Sequence, residues 1–483
     1  MIDTKALRNK ILDLAISGKL TEQLPEDGNA EDLYAQIQEE KARLIAEGKI
    51  KKEKPLPPIT EEEIPFEIPE NWKWVRIGEL SWNHGQTIPK ETFSYIDVGT
   101  LDNINHKLSD SENIIEAKNA PSRARKKVEY GDVLYSTVRP YLHNICVINK
   151  EFSKEPIAST AFCVMCVSNS LMVNYYLFYC LLSSYFDKYA NGDPSKGTLY
   201  PAIGEKDFLN GLIPLPPLAE QKRIVSAVED AFAVIDRIEK AQESYFADQE
   251  VLKNKIIDAG IRGKLTEQLP EDGNAEDLYA HIQEERARLI AEGKIKKEKP
   301  LPPITEEEIP FEIPENWRWV RLGDIVSVYG GKRIPAGRQL TEEDTGQKYI
   351  RISDMKNGSC NTGNLLYVPR DIIPSISKYK INKEDVYITV AGTIGKVGKI
   401  PKILDGANLT ENADKLVFSI ISQDWLIFCL SGDMIQKQIA KLTTQVAQPK
   451  LAIKRIQEFT IPLPPVTEQK RIAEKIDNVL DLI

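Results

Sequence analysis

Two stretches of this chain gather side chains that can grip a polyanion and read its edges. The run PSRARKKV sets Arg123, Arg125, Lys126 and Lys127 within five positions. STVRPYLHN then brings Arg139, Tyr141, His143 and Asn144, and SKGTLY brings Lys196, Thr198 and Tyr200. Far along the chain a second set has the same order. GGKRIPAGR holds Lys332, Arg333 and Arg338, Arg351 follows, AGTIGK holds Thr393 and Lys396, and TTQVAQPK holds Gln445, Gln448 and Lys450. Guanidinium groups can bond a guanine edge in pairs, glutamine amides suit adenine, and ammonium groups anchor phosphates. Any one of these residues alone reads as a solvated surface group. Two clusters in matching order read as two nucleic-acid-binding surfaces.

Catalytic constellations are not visible beside them. AGTIGKVGK has glycines and lysines at the wrong spacing for a phosphate loop and no following Ser or Thr. No HExxH occurs, and the four histidines (His84, His106, His143, His281) are scattered. Cys163 and Cys166 form a lone CxxC inside a strand-like run, where positions three apart face opposite ways, so no zinc site is expected from that pair. Neither a glycine-rich nucleotide fingerprint nor an adenine-methyltransferase NPPY-like motif appears. The sequence points to binding without catalysis and to no metal.

The elements that must position these clusters come in pairs. Gly18 to Trp72 recurs from Gly263 to Trp317 with only two differences, Gln36 for His281 and Lys41 for Arg286. Ahead of the first copy, Leu7, Ile11, Leu14 and Ala15 fall at helical spacing, with Gly18 as the stop. Asn29 reads as an N-cap, and the stripe Leu33, Ile37, Leu44, Ile45 carries a second helix to about Glu47. The proline-rich KPLPPITEEEIPFEIPENW predicts an extended arm, with Trp72 and Trp74 anchoring its end. Between the repeats the pattern turns to short β-like runs (SYIDVGTL, DVLYSTV, NICVI, AFCVMCV), one helical run NYYLFYCLLSSYFDKY and a loop. Residues 326–460 repeat that plan at low identity. We therefore expect an α+β protein with two mixed α/β reading domains: 1–74 repeated region, 75–212 first reading domain, 213–319 central repeated region, 320–460 second reading domain, 461–483 terminal helix.

Charge follows the same division. The whole chain carries 63 Lys and Arg against 72 Asp and Glu, net -9. Residues 81–212 hold 13 basic and 14 acidic groups and 326–460 hold 19 and 13, so the remaining 31 and 45 leave net -14 in the repeated regions. Acidic blocks repel DNA and suit protein partners. Six cysteines in mostly apolar runs read as reduced core residues, MIDTKALRNK lacks a signal peptide's apolar core, and Leu171 to Phe186 reads as buried helix rather than membrane span, so a cytoplasmic protein is expected.

IPLPPLAEQKRIV recurs as IPLPPVTEQKRIA, and after the first copy one helix runs to about Ala259 with a seam at Ile224, Val228, Ala231, Ile235, Ile238, Tyr245, Leu252, Ile256 and Ala259. Treated as circular, the two chain ends rebuild most of that helix, omitting the counterpart of 236–245. An antiparallel two-helix rod with internal pseudo-two-fold symmetry and adjacent termini follows as the expectation.

The paired PLPPxxEQKRI segments, WKWVRIGEL with WRWVRLGDI, and GDVLYSTVRPYL together resemble the specificity subunits of type I restriction-modification systems, over essentially the whole chain. That resemblance implies a non-catalytic subunit whose two target-recognition domains each read one half of an asymmetric bipartite site in double-stranded DNA, with the rod fixing the gap. It also implies two methyltransferase (modification) subunits using S-adenosylmethionine and two ATP-dependent translocase/endonuclease (restriction) subunits with Mg2+, leaving no cofactor in this chain. A stand-alone DNA-processing enzyme and a protein-binding scaffold are the alternatives.

Overall fold

The computed structural model describes residues 1–192, 202–443 and 450–482. The chain divides into two units, Met1–Glu243 and Ser244–Ile483. Each has the same plan.

In unit 1, Asp3 caps helix Thr4–Ile16 by accepting the Ala6 amide, and Gly18 ends it at φ +69°, with Lys19 N–H donating back to Leu14 O. The Pro69 ring packs where a Cβ on Gly18 would sit, so the glycine serves both the turn and the close approach of the arm. Asn29 caps Ala30–Ala46 as read from the sequence, its side chain accepting the Asp32 amide. Thr4–Ile16 runs antiparallel to the start of the long helix Leu218–Ile261. Ile2 meets Gln242, Arg8 pairs with Asp236 and Glu239, and Leu12 and Ala15 share a core with Ile224 and Val228. Unit 2 repeats the pairing between the end of the long helix and Val466–Leu480, where Ile472 and Ile476 close on Gly260. Tyr245 and Leu252, placed on the seam by their spacing, are exposed. The helix that pairs with this end of Leu218–Ile261 stops at Leu480, so no described helix of unit 2 reaches them.

Both reading domains are rooted in a two-stranded ribbon: Lys73–Arg76 with Leu212–Leu215, and Arg318–Arg321 with Thr460–Leu463. Above it sit an antiparallel sheet and a four-stranded mixed sheet. In unit 1 the first orders Phe162–Met165, Val133–Ser136, Ile145–Val147; in unit 2 it orders Ser327–Gly330, Ala413–Val417, Val386–Thr389, Val397–Lys399. The mixed sheets each contain one parallel pair, Phe93–Ile96 with Pro156–Ser159 and Lys348–Ile350 with Ala407–Leu409. The two domains share this framework despite their low sequence identity, except that the strand Ser327–Gly330 of unit 2 is matched in unit 1 only by the isolated bridge Trp82–Cys166. The expected single helix NYYLFYCLLSSYFDKY is two helices, Asn174–Leu182 and Ser184–Asn191. Ser183 is extended at the break and its hydroxyl accepts the Phe186 amide. Gly432 makes the same break between Gln423–Ser431 and Asp433–Thr443. All six cysteines are free, and among the described residues no helix is long and apolar enough to cross a membrane.

Candidate nucleic-acid interface

The signature motif turns out to be a latch. Glu220, fully buried at the start of the long helix, accepts Trp72 Nε1 at 2.8 Å and Gln23 Nε2 at 2.8 Å. Gln221 accepts the Val173 amide at 3.0 Å and donates to Pro216 O at 3.0 Å, and Arg223 bonds Asp27 at 2.5 and 2.7 Å. Three side chains within four positions thus hold the arm, the helical layer of the reading domain and the repeat turn. The second copy is the same: Glu468 with Trp317 and Gln268, Gln469 with Ser422 and Pro464, Arg471 with Asp272. Beside Arg223, the Asp27 carboxyl is held below the usual carboxylate range, and Arg471 does likewise for Asp272. The buried Arg76 extends the latch. It donates to Pro57 O and Pro58 O of the arm, to Asn210 O and to Glu63, and Arg321 repeats this with Pro302, Pro303, Glu458 and Glu308.

On this mount the first cluster comes partly together. Arg139, Tyr141, His143 and Asn144 lie on the connection between Val133–Ser136 and Ile145–Val147, with Arg139 and Tyr141 exposed. His143 Nε2 is 2.6 Å from Asp187 Oδ1 on the helix Ser184–Asn191. Ile203 N–H donates to Thr137 O and Val138 bridges Ala202, which brings one flank of segment 193–201 to the same hairpin. Lys196, Thr198 and Tyr200 belong to that segment, outside the described residues. Arg123 and Lys127 are exposed beside and on the edge strand Ala124–Lys127, while the half-buried Arg125 turns its guanidinium onto Ala124 O.

Two expectations fail. Lys126 is 5 % exposed, and its ammonium lies 2.7 and 2.8 Å from the two oxygens of Glu205, so it neutralises a carboxylate inside the domain and does not face a phosphate. Asn144 is buried, with its carbonyl taken by the Ser136 amide in the hairpin ladder.

In unit 2 the cluster centres on Glu411, which the sequence did not single out. Its carboxylate holds Arg333 at 2.5 Å and its carbonyl accepts Lys450 Nζ at 3.5 Å. Leu451 N–H donates to Val390 O, so the flank of segment 444–449, which contains Gln445 and Gln448 outside the described residues, adjoins the hairpin turn exactly where Ile203 does in unit 1. That turn exposes Thr393 and Lys396, with the Lys396 amide donating to Thr389 Oγ1 at 2.9 Å. Lys332 is exposed near the Tyr379 ring. Arg338 and Arg351 are drawn elsewhere, to Asp371 and to Asp354 within its own turn. Behind the cluster, burial pushes the Asp414 carboxyl up to about 6.

The two hairpins bend at matching points with different residues. Arg139 (φ +52°) and His143 (φ +51°) are left-handed in unit 1, and strand register sets Gly392 (φ +75°) and Gly395 (φ +87°) at those points in unit 2. Glycine takes that conformation freely, whereas a side chain costs about 1 kcal/mol.

The family model "Type I restriction modification DNA specificity domain" matches residues 69–244 and 314–483. The chain belongs to that family. Among curated relatives, it is 27% identical to the EcoAI specificity subunit of Escherichia coli, covering 99% of this chain and 89% of the relative. It is 26% identical to the EcoEI specificity subunit of the same species, covering 98% and 88%. A solved structure describing complex assembly and conformational transition of a type I system aligns with TM-score 0.63 at 25% identity, over 86% of this chain and 92% of that one. The HsdS subunit of Thermoanaerobacter tengcongensis aligns with TM-score 0.51 at 25% identity, over 87% and 92%.

Proposed function

We propose that this chain is the DNA-reading subunit of a type I restriction-modification complex, with each reading domain recognising one half of an asymmetric, two-part site. One observation carries the reading: the same strand framework and the same latch appear twice, while the side chains at the hairpin turns differ. Identical mounts with different reading surfaces suit two different half-sites, since each base sequence needs its own donors and acceptors. The chain itself supplies no catalysis. Two modification subunits, holding S-adenosylmethionine, dock on the acidic repeated regions, and two restriction subunits bring ATP and Mg2+. The complex works in the cytoplasm.

Footprinting of the complex assembled with its modification subunits tests this. Two short protected tracts separated by a gap are expected, and exchanging segment 81–212 should change one tract only. Protection of one undivided sequence, or an unchanged sequence preference after the exchange, would refute it.

A further inference from the structure

Among the described residues, unit 1 holds a cluster that unit 2 lacks. His84, Asp132 and Cys166 offer an imidazole nitrogen, a carboxylate oxygen and a thiol sulfur, all within 4.8 Å of one another. Three segments deliver them. Trp82 bridges Cys166 in antiparallel fashion, His84 lies two residues further along that edge, and Asp132 sits in the turn entering Val133–Ser136. Asp132 is 2 % exposed, and its Oδ2 accepts the Glu129 amide at 2.8 Å. His84 Nε2 lies 3.2 Å from that oxygen, and His84 Nδ1 lies 3.6 Å from Glu129 Oε1 on the other side of the ring. Cys166 is held beside them by its backbone, which exchanges both hydrogen bonds with Trp82.

Unit 2 keeps the carboxylate and changes everything around it. Asp385 accepts the Asn382 amide at 2.8 Å, as Asp132 accepts that of Glu129. Its counter-charge is Lys415, whose Nζ is 3.8 Å from Oδ2 and which strand register pairs with Tyr329. Tyr329 and Val417 occupy the positions of His84 and Cys166, and Val164 occupies that of Lys415. A carboxylate buried at this turn needs a cation beside it. The chain builds one in as an ammonium in unit 2; in unit 1 it puts an apolar residue there and adds an imidazole and a thiol.

We propose that His84 Nε2, an Asp132 oxygen and Cys166 Sγ form a zinc site, with water in the fourth position. The mixed N, O and S donors suit a borderline-soft divalent ion. Bonds of about 2.0 to 2.3 Å require the donors to draw together to about 3.5 Å. Glu129 Oε1, 3.6 Å from Nδ1, is the carboxylate that can orient the ring. Binding releases the Cys166 thiol proton to solvent and leaves zinc's oxidation state unchanged. Cys163 has no part in it: it is fully buried, three residues back on the strand. The ion clamps the chain around His84 to the turn from which the Arg139 hairpin springs.

The test uses the full-length chain, loaded with zinc, dialysed and assayed for metal, and in parallel loaded with cobalt(II). One metal per chain and a thiolate-to-cobalt charge-transfer band are expected. Cys166→Ser should abolish the band and weaken zinc binding by at least about 100-fold, and His84→Asn should weaken it comparably. Cys163→Ala should keep both metal and band. A folded wild-type chain that retains no zinc overturns the proposal, as does a cobalt complex without the thiolate band. Loss of metal in Cys163→Ala equal to that in Cys166→Ser would overturn the choice of ligands. The cobalt spectrum of the unaltered chain decides the matter even where a variant fails to fold.

Discussion

Unit 1 turns the hairpin after Val133–Ser136 on Arg139 and His143, and unit 2 turns the equivalent hairpin on Gly392 and Gly395. Strand register matches these points although the connection spans 137–144 in unit 1 and 390–396 in unit 2, so what differs is what the turn is made to present. Beneath both hairpins the Glu220 and Glu468 latches match group for group, with Trp Nε1 to carboxylate distances of 2.8 Å in each. The mount is thus held constant, while the hairpin turns and interior positions such as Cys163 against Asp414 diverge. The latch explains how: its side chains bond arm, helix and domain root, so the hairpin residues can change without disturbing the frame.

The largest effect should come from breaking the mount. Glu220→Ala leaves the Trp72 indole and the Gln23 amide without their buried acceptor, at a cost of about 3 kcal/mol or more. Glu468→Ala should cost unit 2 a similar amount. Chemical denaturation followed by the fluorescence of each unit checks it, and grossly unequal losses would break the equivalence of the two latches.

Next comes a difference between the frames. Asp414 stands where strand register places Cys163 in unit 1, and its folded pKa of about 6 exceeds the ordinary 3.8. The folded state therefore holds the proton more tightly than the unfolded chain does. Stability from this group is present at low pH and is lost as pH rises from about 4 through about 6, a loss of about 2 to 3 kcal/mol. Asp414→Asn should remove that slope from unit 2 and raise its stability at pH 7. Denaturation midpoints between pH 4 and 8 measure it; an unchanged slope would mean that the carboxylate finds solvation or a partner when charged.

Arg139 sharpens the contrast between hairpins. Arg139→Ala and Arg139→Gly both remove the guanidinium and should each weaken DNA binding by about 1 to 3 kcal/mol, relaxing one half-site only. Gly relieves the left-handed strain that Ala retains, so the Gly variant should be the more stable by about 1 kcal/mol. Equal stabilities would remove strain from the account, and unchanged sequence preference would remove Arg139 from the reading surface.

How much of this was legible depended on sequence distance. The Asn29 cap, the Gly18 stop and the runs SYIDVGTL, DVLYSTV, NICVI and AFCVMCV are written in local spacing, whereas the strands Ala124–Lys127 and Pro156–Ser159 carry no such signal. Glu220 was visible only as part of a repeated motif, because its partner Trp72 lies 148 residues away. Lys126 was misread for the same reason: nothing in ARKKV announces Glu205, 79 residues on. The CxxC spacing gave no site, while His84, Asp132 and Cys166 meet only through strand pairing. Left-handed turns were legible at Gly392 and Gly395, where glycine advertises them, and not at Arg139 or His143.

The smallest effect separates two adjacent lysines. Lys127 is exposed on the edge strand, whereas Lys126 is closed over by Glu205. A lysine that meets a phosphate releases about one counterion, so Lys127→Ala should lower the slope of log affinity against log salt by about 1 if it lies on the DNA path. Lys126→Ala should leave that slope where it is and lower the stability of unit 1 instead, since Glu205 loses its partner. Binding isotherms at several salt concentrations, paired with denaturation curves, distinguish the two. A flatter slope for Lys126→Ala would require the Glu205 pair to open on binding, and the edge strand would then face DNA with both lysines.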